Sequence, residues 1–235
     1  MTRVTYWLFI ICFPLLLLTC TVRLGVGSAQ IYEYGFDKYQ ISEVTGLDRA
    51  QLSEVTERLT GYFSSKAATP QIKVVNKYGE EFELFQEHEL VHLEDVKELF
   101  QVAYLVQAIV IGYIVVYILL FLLWKKGRWQ DLAKGVTRGS ALILIVAVIL
   151  GIASIFIDFE QLFIGFHYLI FGDPSSSPWM LDPSKDYLIM LFPGGFWQDV
   201  AFLGGVTIIG GALLCGGIAW LIPSINQRHK KTGQE

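Results

Sequence analysis

The segment QEHELVHLEDVK, residues 86–97, holds the densest group of side chains that could exchange protons or bind a metal ion. It contains His88 and His92, with four carboxylates among their near neighbours. An imidazole ionises close to neutral pH, so either histidine could act as a general acid or base. The segment runs into an apolar stretch that begins near Val102, which places these groups beside a membrane surface.

His88 and His92 also frame an HExxH sequence. Zinc proteases use this arrangement to hold a metal ion with two histidines on one helix face and to activate water with the glutamate. The five-letter match is weak in a segment rich in glutamate, and a third ligand is needed. Glu94 and Asp95 are too near in sequence to fold back onto the same ion, whereas His167 could complete the set in space. The other interpretation of His88 is a solvent-exposed position, and His92, one turn closer to the membrane, is better placed for function.

A second patch of candidate residues lies within residues 158–199. Residues 159–171 are apolar but too few to span a bilayer, and they contain His167. Aromatic side chains cluster around this histidine, as they do at membrane interfaces. One interpretation is a hydrophobic collar on the bilayer surface, and the other is an apolar pocket for acyl chains with His167 on its wall.

The composition sets the class of protein that must position these residues. The chain has 235 residues, of which 53% are hydrophobic and only 17% are charged. A soluble domain carries about a quarter charged residues, so the long apolar runs indicate an integral membrane protein. Cys12, Cys20 and Cys215 lie in apolar runs without the spacing of a disulfide or a metal site, and we interpret them as buried thiols. We expect no cofactor and no bound metal.

Four apolar runs predict an all-α membrane fold, a four-helix transmembrane bundle with a small extracytoplasmic α+β cap between spans 1 and 2. The predicted order is span 1 at 1–26, the cap at 27–100, span 2 at 101–124, a basic cytoplasmic loop at 125–138, span 3 at 139–157, an extracytoplasmic interfacial segment at 158–199, span 4 at 200–222 and a cytoplasmic tail at 223–235.

The first span has a competing interpretation as a cleaved signal peptide, because Gly27-Ser28-Ala29 would suit a signal peptidase. We favour a retained helix, since the apolar run reaches Val26 if the Arg23 side chain snorkels to the interface.

The cap sequence predicts a helix, a hairpin and a second helix. Asp48 suits an N-cap, and Gln51 three residues later completes a capping box. Apolar residues then repeat at helical spacing. Short strands are predicted at residues 71–76 and 81–85, joined by a glycine-containing turn.

The distribution of charge predicts the orientation in the membrane. The loop after span 2 and the tail are short and basic, which places both of them and the amino terminus in the cytoplasm. Of the 22 acidic residues, only Asp131 and Glu235 then fall inside. The segments between spans 1 and 2 and between spans 3 and 4 are therefore expected on the extracytoplasmic face.

The two outward patches resemble the two signatures of the bacterial lipoprotein intramolecular transacylases, a four-span integral membrane family. The first match is HLEDVK, residues 92–97, just before a span; the second comprises residues 166–171, Trp179, Asp182-Pro183, Asp186 and residues 191–193. In the family the histidine of each patch is the functional residue, which corresponds here to His92 and His167. On this resemblance the HExxH string is incidental.

The resemblance implies an acyltransferase that acts on diacylglyceryl-modified bacterial lipoproteins within the cell membrane. It moves the sn-2 acyl chain of the lipidated cysteine to that cysteine's own α-amine and leaves a lyso-form lipoprotein. Two histidines could divide the base and acid roles, or one could stabilise the tetrahedral oxyanion, and no covalent acyl-enzyme is required. Two carboxylates are candidates to orient the imidazoles: Asp95, three residues after His92, for that ring, and Asp186 for His167. Phe166, Trp179 and Phe192 are the expected substrate-binding side chains.

The expected partners are these lipoproteins and membrane lipids, with no nucleic acid, and the expected state is a monomer. The alternatives are a membrane zinc metalloprotease that uses the HExxH at His88–His92, and a non-catalytic membrane adaptor whose outer cap binds a partner.

Overall fold

A computed structural model of the chain describes residues 3–76, 78–123, 129–175 and 177–232, with side chains described as far as residue 221. In chain order the elements are α1 (Arg3–Val26), α2 (Ala29–Lys38), α3 (Ile41–Thr45), α4 (Arg49–Ser64), β1 (Lys73–Val75), β2 (Glu81–Glu83), α5 (Glu87–Leu123), α6 (Trp129–Ala153), α7 (Phe159–Phe171), α8 (Tyr187–Leu191) and α9 (Gly194–Thr232).

Four of these helices, α1, α5, α6 and α9, are long and apolar enough to cross a membrane. The prediction of a multi-pass membrane protein with four spans is therefore confirmed. Helix α5 has 37 residues, a length of about 55 Å, whereas a hydrocarbon core is about 30 Å thick. Because its charged residues all lie in its first turns, the part of α5 before Val102, which includes His92, lies outside the membrane-spanning portion.

The chain divides into two compact units. The helical unit comprises Met1–Val22, Ala103–Ile155 and Leu203–Glu235, and the mixed unit comprises Arg23–Val102 and Phe156–Phe202. In the helical unit Phe9 of α1 stacks on Tyr117 of α5 with ring centroids 4.6 Å apart. Leu132 of α6 completes this core.

The mixed unit has one core that both intervening segments share. Residues of the predicted cap, 27–100, and of the predicted interfacial segment, 158–199, therefore share this core. The core side chains include Tyr32, Phe36, Leu47, Leu52, Val55, Leu59, Leu84, Leu93, Leu188, Leu191, Phe192 and Phe196. Apolar residues in the second segment are buried here by protein, which composition alone cannot distinguish from burial in lipid.

The predicted hairpin and helix of this unit are present. Asp48 caps α4, and both hydrogen bonds of its capping box with Gln51 form. Strands β1 and β2 pair antiparallel, with Val74 opposite Phe82; β1 is shorter than expected at both ends, and β2 begins as expected but ends two residues earlier. Helix α2 was not predicted. Its Gly35 admits the Phe196 ring so closely that a Cβ atom would lie 2.4 Å from a ring carbon.

The predicted limits of span 3 were wrong. Helix α6 begins at Trp129, so residues 129–138 are helical and not loop, and it ends at Ala153, before the expected residue 157. The hydropathy pattern missed the first turns of α6 because they carry charged side chains, such as Asp131 and Lys134. A helix can extend beyond the apolar core of the membrane. The rest of the expected loop, residues 125–128, lies outside the described residues. Span 4 also extends further than predicted, because α9 runs from Gly194 to Thr232.

Candidate active site

His92 lies on α5 within the mixed unit and is only 7% exposed. Its ring centroid is 5.9 Å from that of His167 and 5.2 Å from that of Phe171. Its Nδ1 atom is buried and has no hydrogen-bond partner among the described residues. A buried polar atom without a partner costs free energy, so this nitrogen is free to bind a substrate atom or water.

His167 lies on α7 and is 8% exposed. Asp158 caps this short helix through a hydrogen bond from the Gln161 backbone N–H. One turn before the histidine, the Phe163 carbonyl oxygen lies 2.8 Å from His167 Nδ1. A carbonyl can only accept, so Nδ1 carries the hydrogen and Nε2 of the neutral ring keeps its lone pair. The backbone of α7 thereby fixes the tautomer that a general base requires.

Burial keeps both imidazoles neutral. It is the largest effect that lowers the pKa of His92 from 6.5 to about 4; the neighbouring His167 also lowers it, and the Asp95 charge opposes both. Burial likewise lowers the pKa of His167, against the hydrogen bond to Phe163. At neutral pH either ring can therefore accept a proton or donate its single N–H.

Glu89 fastens the start of α5. Its side chain is fully buried, and its carboxylate accepts hydrogen bonds from the backbone N–H of Gln86 at 2.8 Å and of Leu188 at 2.7 Å. Burial raises the pKa of this carboxyl, and the two N–H donors act in the opposite direction. Glu89 thus joins the first turn of α5 to α8.

The prediction that Asp186 supports His167 is wrong, because the Asp186 carboxylate has other partners. Oδ1 accepts a hydrogen bond from His88 Nε2 at 3.0 Å, and Oδ2 accepts one from the Asp182 backbone N–H at 2.7 Å. Sequence separation gave no signal for the pairing with His88, because the two residues come together only through the tertiary fold.

The HExxH residues therefore do not assemble as a metal site in the described part of the chain. His88 is bound to Asp186, and both Glu89 oxygens are occupied by backbone N–H groups. No group of three histidine, cysteine or carboxylate side chains is positioned to hold a metal ion among the residues described.

Asp95 is close to His92 in sequence but is hydrogen-bonded elsewhere. The Ser177 hydroxyl donates to Asp95 Oδ2 at 2.5 Å. The expected orienting hydrogen bond to His92 does not form, and Asp95 acts on that ring only through its charge. Its observed contact attaches the loop after α7 to α5.

Aromatic rings surround the histidine pair. Two of the predicted substrate-binding residues lie beside His167: the centroid of the Trp179 ring is 5.2 Å and that of the Phe166 ring 5.7 Å from the imidazole centroid. Trp179 Nε1 donates to the Gly172 carbonyl at 3.0 Å, which fixes the indole. The third predicted residue, Phe192, is instead part of the core and packs on Tyr32 and Phe36.

Two further rings of the site were missed. Phe163 lies 4.2 Å from His167, and Phe171 lies 5.5 Å from it. They are four residues before and four residues after the histidine, so helical spacing on α7 could have identified both.

Four membrane-crossing helices and a buried pair of neutral histidines outside the spans define a polytopic membrane protein with a candidate acid–base site. The family model of the lipoprotein intramolecular transacylase Lit matches residues 7–197. The chain belongs to this family. A search of curated proteins finds no match.

Solved structures support the fold. The membrane integral lipoprotein intramolecular transacylase Lit from Bacillus cereus, determined in meso, is 21% identical with a TM-score of 0.77, and the alignment covers 96% of this chain and 97% of that chain. A variant of that protein with a histidine replaced by arginine is 20% identical with a TM-score of 0.72, covering 97% and 94% of the two chains. A variant with alanine in place of a histidine is 22% identical with a TM-score of 0.72, covering 96% and 95%.

Proposed function

We propose that this protein moves the sn-2 acyl chain of a diacylglyceryl-modified lipoprotein to the α-amino group of the lipidated cysteine. Membership of the transacylase family supports acyl transfer on a lipoprotein. The observation that carries the chemistry is the pair of buried imidazoles 5.9 Å apart. At that separation the two rings can contact the same reacting ester group at their edges.

In the proposed reaction the amine nitrogen attacks the carbonyl carbon of the sn-2 ester. A C–N bond forms, the C–O bond to glycerol breaks, and the proton lost by nitrogen passes to the glycerol oxygen. Donor and acceptor belong to one molecule, so holding them in reactive geometry lowers the barrier without a covalent acyl-enzyme. The products are an N-acylated cysteine and a lyso-form glyceryl group.

His167 is the better candidate for the base. Its Nδ1–H is held by the Phe163 carbonyl, so the lone pair of Nε2 is available to take the amine proton and return it to the leaving oxygen. The lowered pKa of this ring favours the neutral form that a base needs.

His92 is the better candidate for stabilising the oxyanion of the tetrahedral intermediate. It remains neutral down to low pH, and its Nδ1 atom has no partner among the described residues. A hydrogen on that nitrogen would be satisfied by the negative oxygen that forms only during reaction, which is the condition for lowering a barrier.

Aromatic side chains beside the histidine pair would hold the acyl chain. Phe166, Phe171 and Trp179 would pack against the acyl chain near the two imidazoles.

We further propose that the protein acts as a monomer among membrane lipids. In this proposal the site lies on the extracytoplasmic face and both termini lie in the cytoplasm, because the basic segments are short and acidic residues are concentrated in the outward segments.

The test is expression in a bacterial strain that lacks lipoprotein N-acylation, followed by mass spectrometry of a lipoprotein amino terminus. The unaltered chain should yield the N-acylated lyso-form. His92→Ala, His167→Ala and His167→Asn should each abolish it; the asparagine retains a donor for the Phe163 carbonyl but no base. His88→Ala is the matched control, since His88 is bonded to Asp186, and it should retain product. Absence of the lyso-form with the unaltered chain, or its persistence in both alanine variants, would contradict the proposal.

A further inference from the structure

A groove with a basic rim lies in the helical unit, between the start of α1 and the early turns of α6. Its volume is about 620 Å³. The lining residues are Arg3, Val4, Tyr6, Trp7, Leu8, Ile11 and Arg138. Nothing in the proposed acyl transfer uses this groove.

The wall of the groove is apolar and is built on tightly packed helices. Trp7 is 58% exposed and Val4 is 66% exposed, so the wall offers side chains that need an apolar neighbour. On the packed side of the same helices, Gly135 of α6 lies so close to Phe9 that a Cβ atom would be 2.8 Å from the ring. This close contact fixes the spacing of α1 and α6, and with it the width of the groove.

The rim of the groove carries two guanidinium groups. Arg138 donates from Nη1 to the Tyr6 hydroxyl at 3.0 Å, and its guanidinium carbon lies 5.5 Å from the centroid of the same ring. A guanidinium has five N–H donors, so most of those on Arg138 remain for another acceptor. Within the described residues, no carboxylate forms an ion pair with Arg3 or Arg138, and the lining set contains none. The nearby Asp131 is paired with Lys134 at 4.0 Å.

We propose that this groove binds one anionic phospholipid, with the phosphodiester between Arg3 and Arg138 and an acyl chain along Trp7, Leu8 and Ile11. Arginine suits phosphate because its planar donors can hold two oxygens at once. A zwitterionic lipid brings its own cation to the rim and is therefore disfavoured, whereas a free phosphate would leave the apolar wall uncovered. The volume also falls within the range of about 300–1,000 Å³ that small-molecule sites occupy.

Native mass spectrometry of the purified full-length protein tests this proposal, with phosphatidylglycerol and phosphatidylcholine of identical acyl chains as the probes. Arg3→Gln and Arg138→Gln should each lower the affinity for phosphatidylglycerol about fivefold, as expected for one cation near a lipid headgroup. Lys134→Gln removes the same charge from the same helix outside the groove, and its affinity should stay within about twofold of the unaltered protein.

A second variant tests the acyl chain separately from the charge. Ile11→Trp fills the groove and retains both arginines, so it should lower retention of phosphatidylglycerol. The proposal is overturned if the unaltered protein retains the two lipids equally, if Lys134→Gln loses as much affinity as Arg138→Gln, or if Ile11→Trp binds like the unaltered protein. Displacement of the lipid by millimolar inorganic phosphate would identify the rim as a simple anion site instead. None of these measurements depends on acyl transfer.

Discussion

The segment that carries His88, Glu89 and His92 uses the same residue types in two opposite ways. Around its start, Gln86, His88 and Glu89 form a polar clamp with Asp186, which precedes α8. In this clamp the His88 ring and both carboxylates make hydrogen bonds. One turn later, the histidine pair His92 and His167 is buried among aromatic rings, and His92 Nδ1 lacks a partner within the described residues. The comparison shows that hydrogen-bond satisfaction, and not the density of charged groups, distinguishes the structural cluster from the candidate site.

The largest structural effect expected from this comparison is at Glu89. Glu89→Ala removes the acceptor of two backbone N–H groups, a buried one on Leu188 and a partly buried one on Gln86, which should cost about 2–4 kcal/mol of stability. Glu89→Gln should cost roughly half as much, because one amide oxygen can still accept one of the two hydrogen bonds. Thermal unfolding of the purified protein in detergent measures both losses.

Activity per folded molecule discriminates between the two interpretations of Glu89. If Glu89 only stabilises the fold, the folded fraction of the Glu89→Gln protein should work at nearly the rate of the unaltered protein. If Glu89 were the water-activating glutamate of a zinc protease, the Glu89→Gln protein would lose activity at unchanged stability. Stable but inactive Glu89→Gln protein would therefore reverse the assignment of the two clusters.

Features that depend on local patterns could be predicted from the sequence. The four spans follow from apolar runs, and the capping box of Asp48 and Gln51 depends on residues three positions apart. The pairing of His92 with His167 could not be obtained from spacing, since these residues lie on different helices. Resemblance to a family gave that pairing, and the structure brings the two rings together. Their catalytic roles remain a prediction.

Predictions about single side chains failed where tertiary contacts decide. Phe192 was expected at the substrate site because it belongs to the second family signature, yet it packs in the core against Tyr32. Asp186 was expected beside His167, yet it binds His88. In both cases the sequence identifies a polar or aromatic residue near the site, while the direction of its side chain depends on packing between distant segments.

The dependence of activity on pH tests whether the histidine pair, His92 and His167, is buried and neutral in the enzyme. The substrate amine, with a pKa of about 8, must be neutral to attack, so the rate should fall tenfold per pH unit below that value. A histidine of ordinary pKa, 6.5, would be about 90% protonated at pH 5.5 and would add a further tenfold loss. Burial lowers the pKa of both rings, that of His92 to about 4, so this second loss should not begin at pH 6.5 but at a lower pH.

Initial rates of lyso-form production between pH 5.5 and 8, with a synthetic diacylated lipopeptide as substrate, check this slope. A logarithmic slope of one that continues from pH 7 to below pH 6.5 agrees with buried imidazoles of lowered pKa. A break to a slope of two near pH 6.5 would mean that the base is solvated in the enzyme, in conflict with the burial of His92 and His167.

The smallest expected effect concerns Asp95, the carboxylate nearest to the pair in sequence. Its observed partner is the Ser177 hydroxyl, and an asparagine oxygen can accept the same hydrogen bond. Asp95→Asn should therefore lower the rate no more than about threefold, whereas Asp95→Ala, which loses a hydrogen bond of about 1 kcal/mol, should lower it about fivefold. Measuring both variants alongside Ser177→Ala separates the loop contact from the charge, since Ser177→Ala should match Asp95→Ala. A loss of a hundredfold in Asp95→Asn, with Ser177→Ala unaffected, would show that the carboxylate orients His92 during reaction and that Asp95 belongs to the catalytic pair after all.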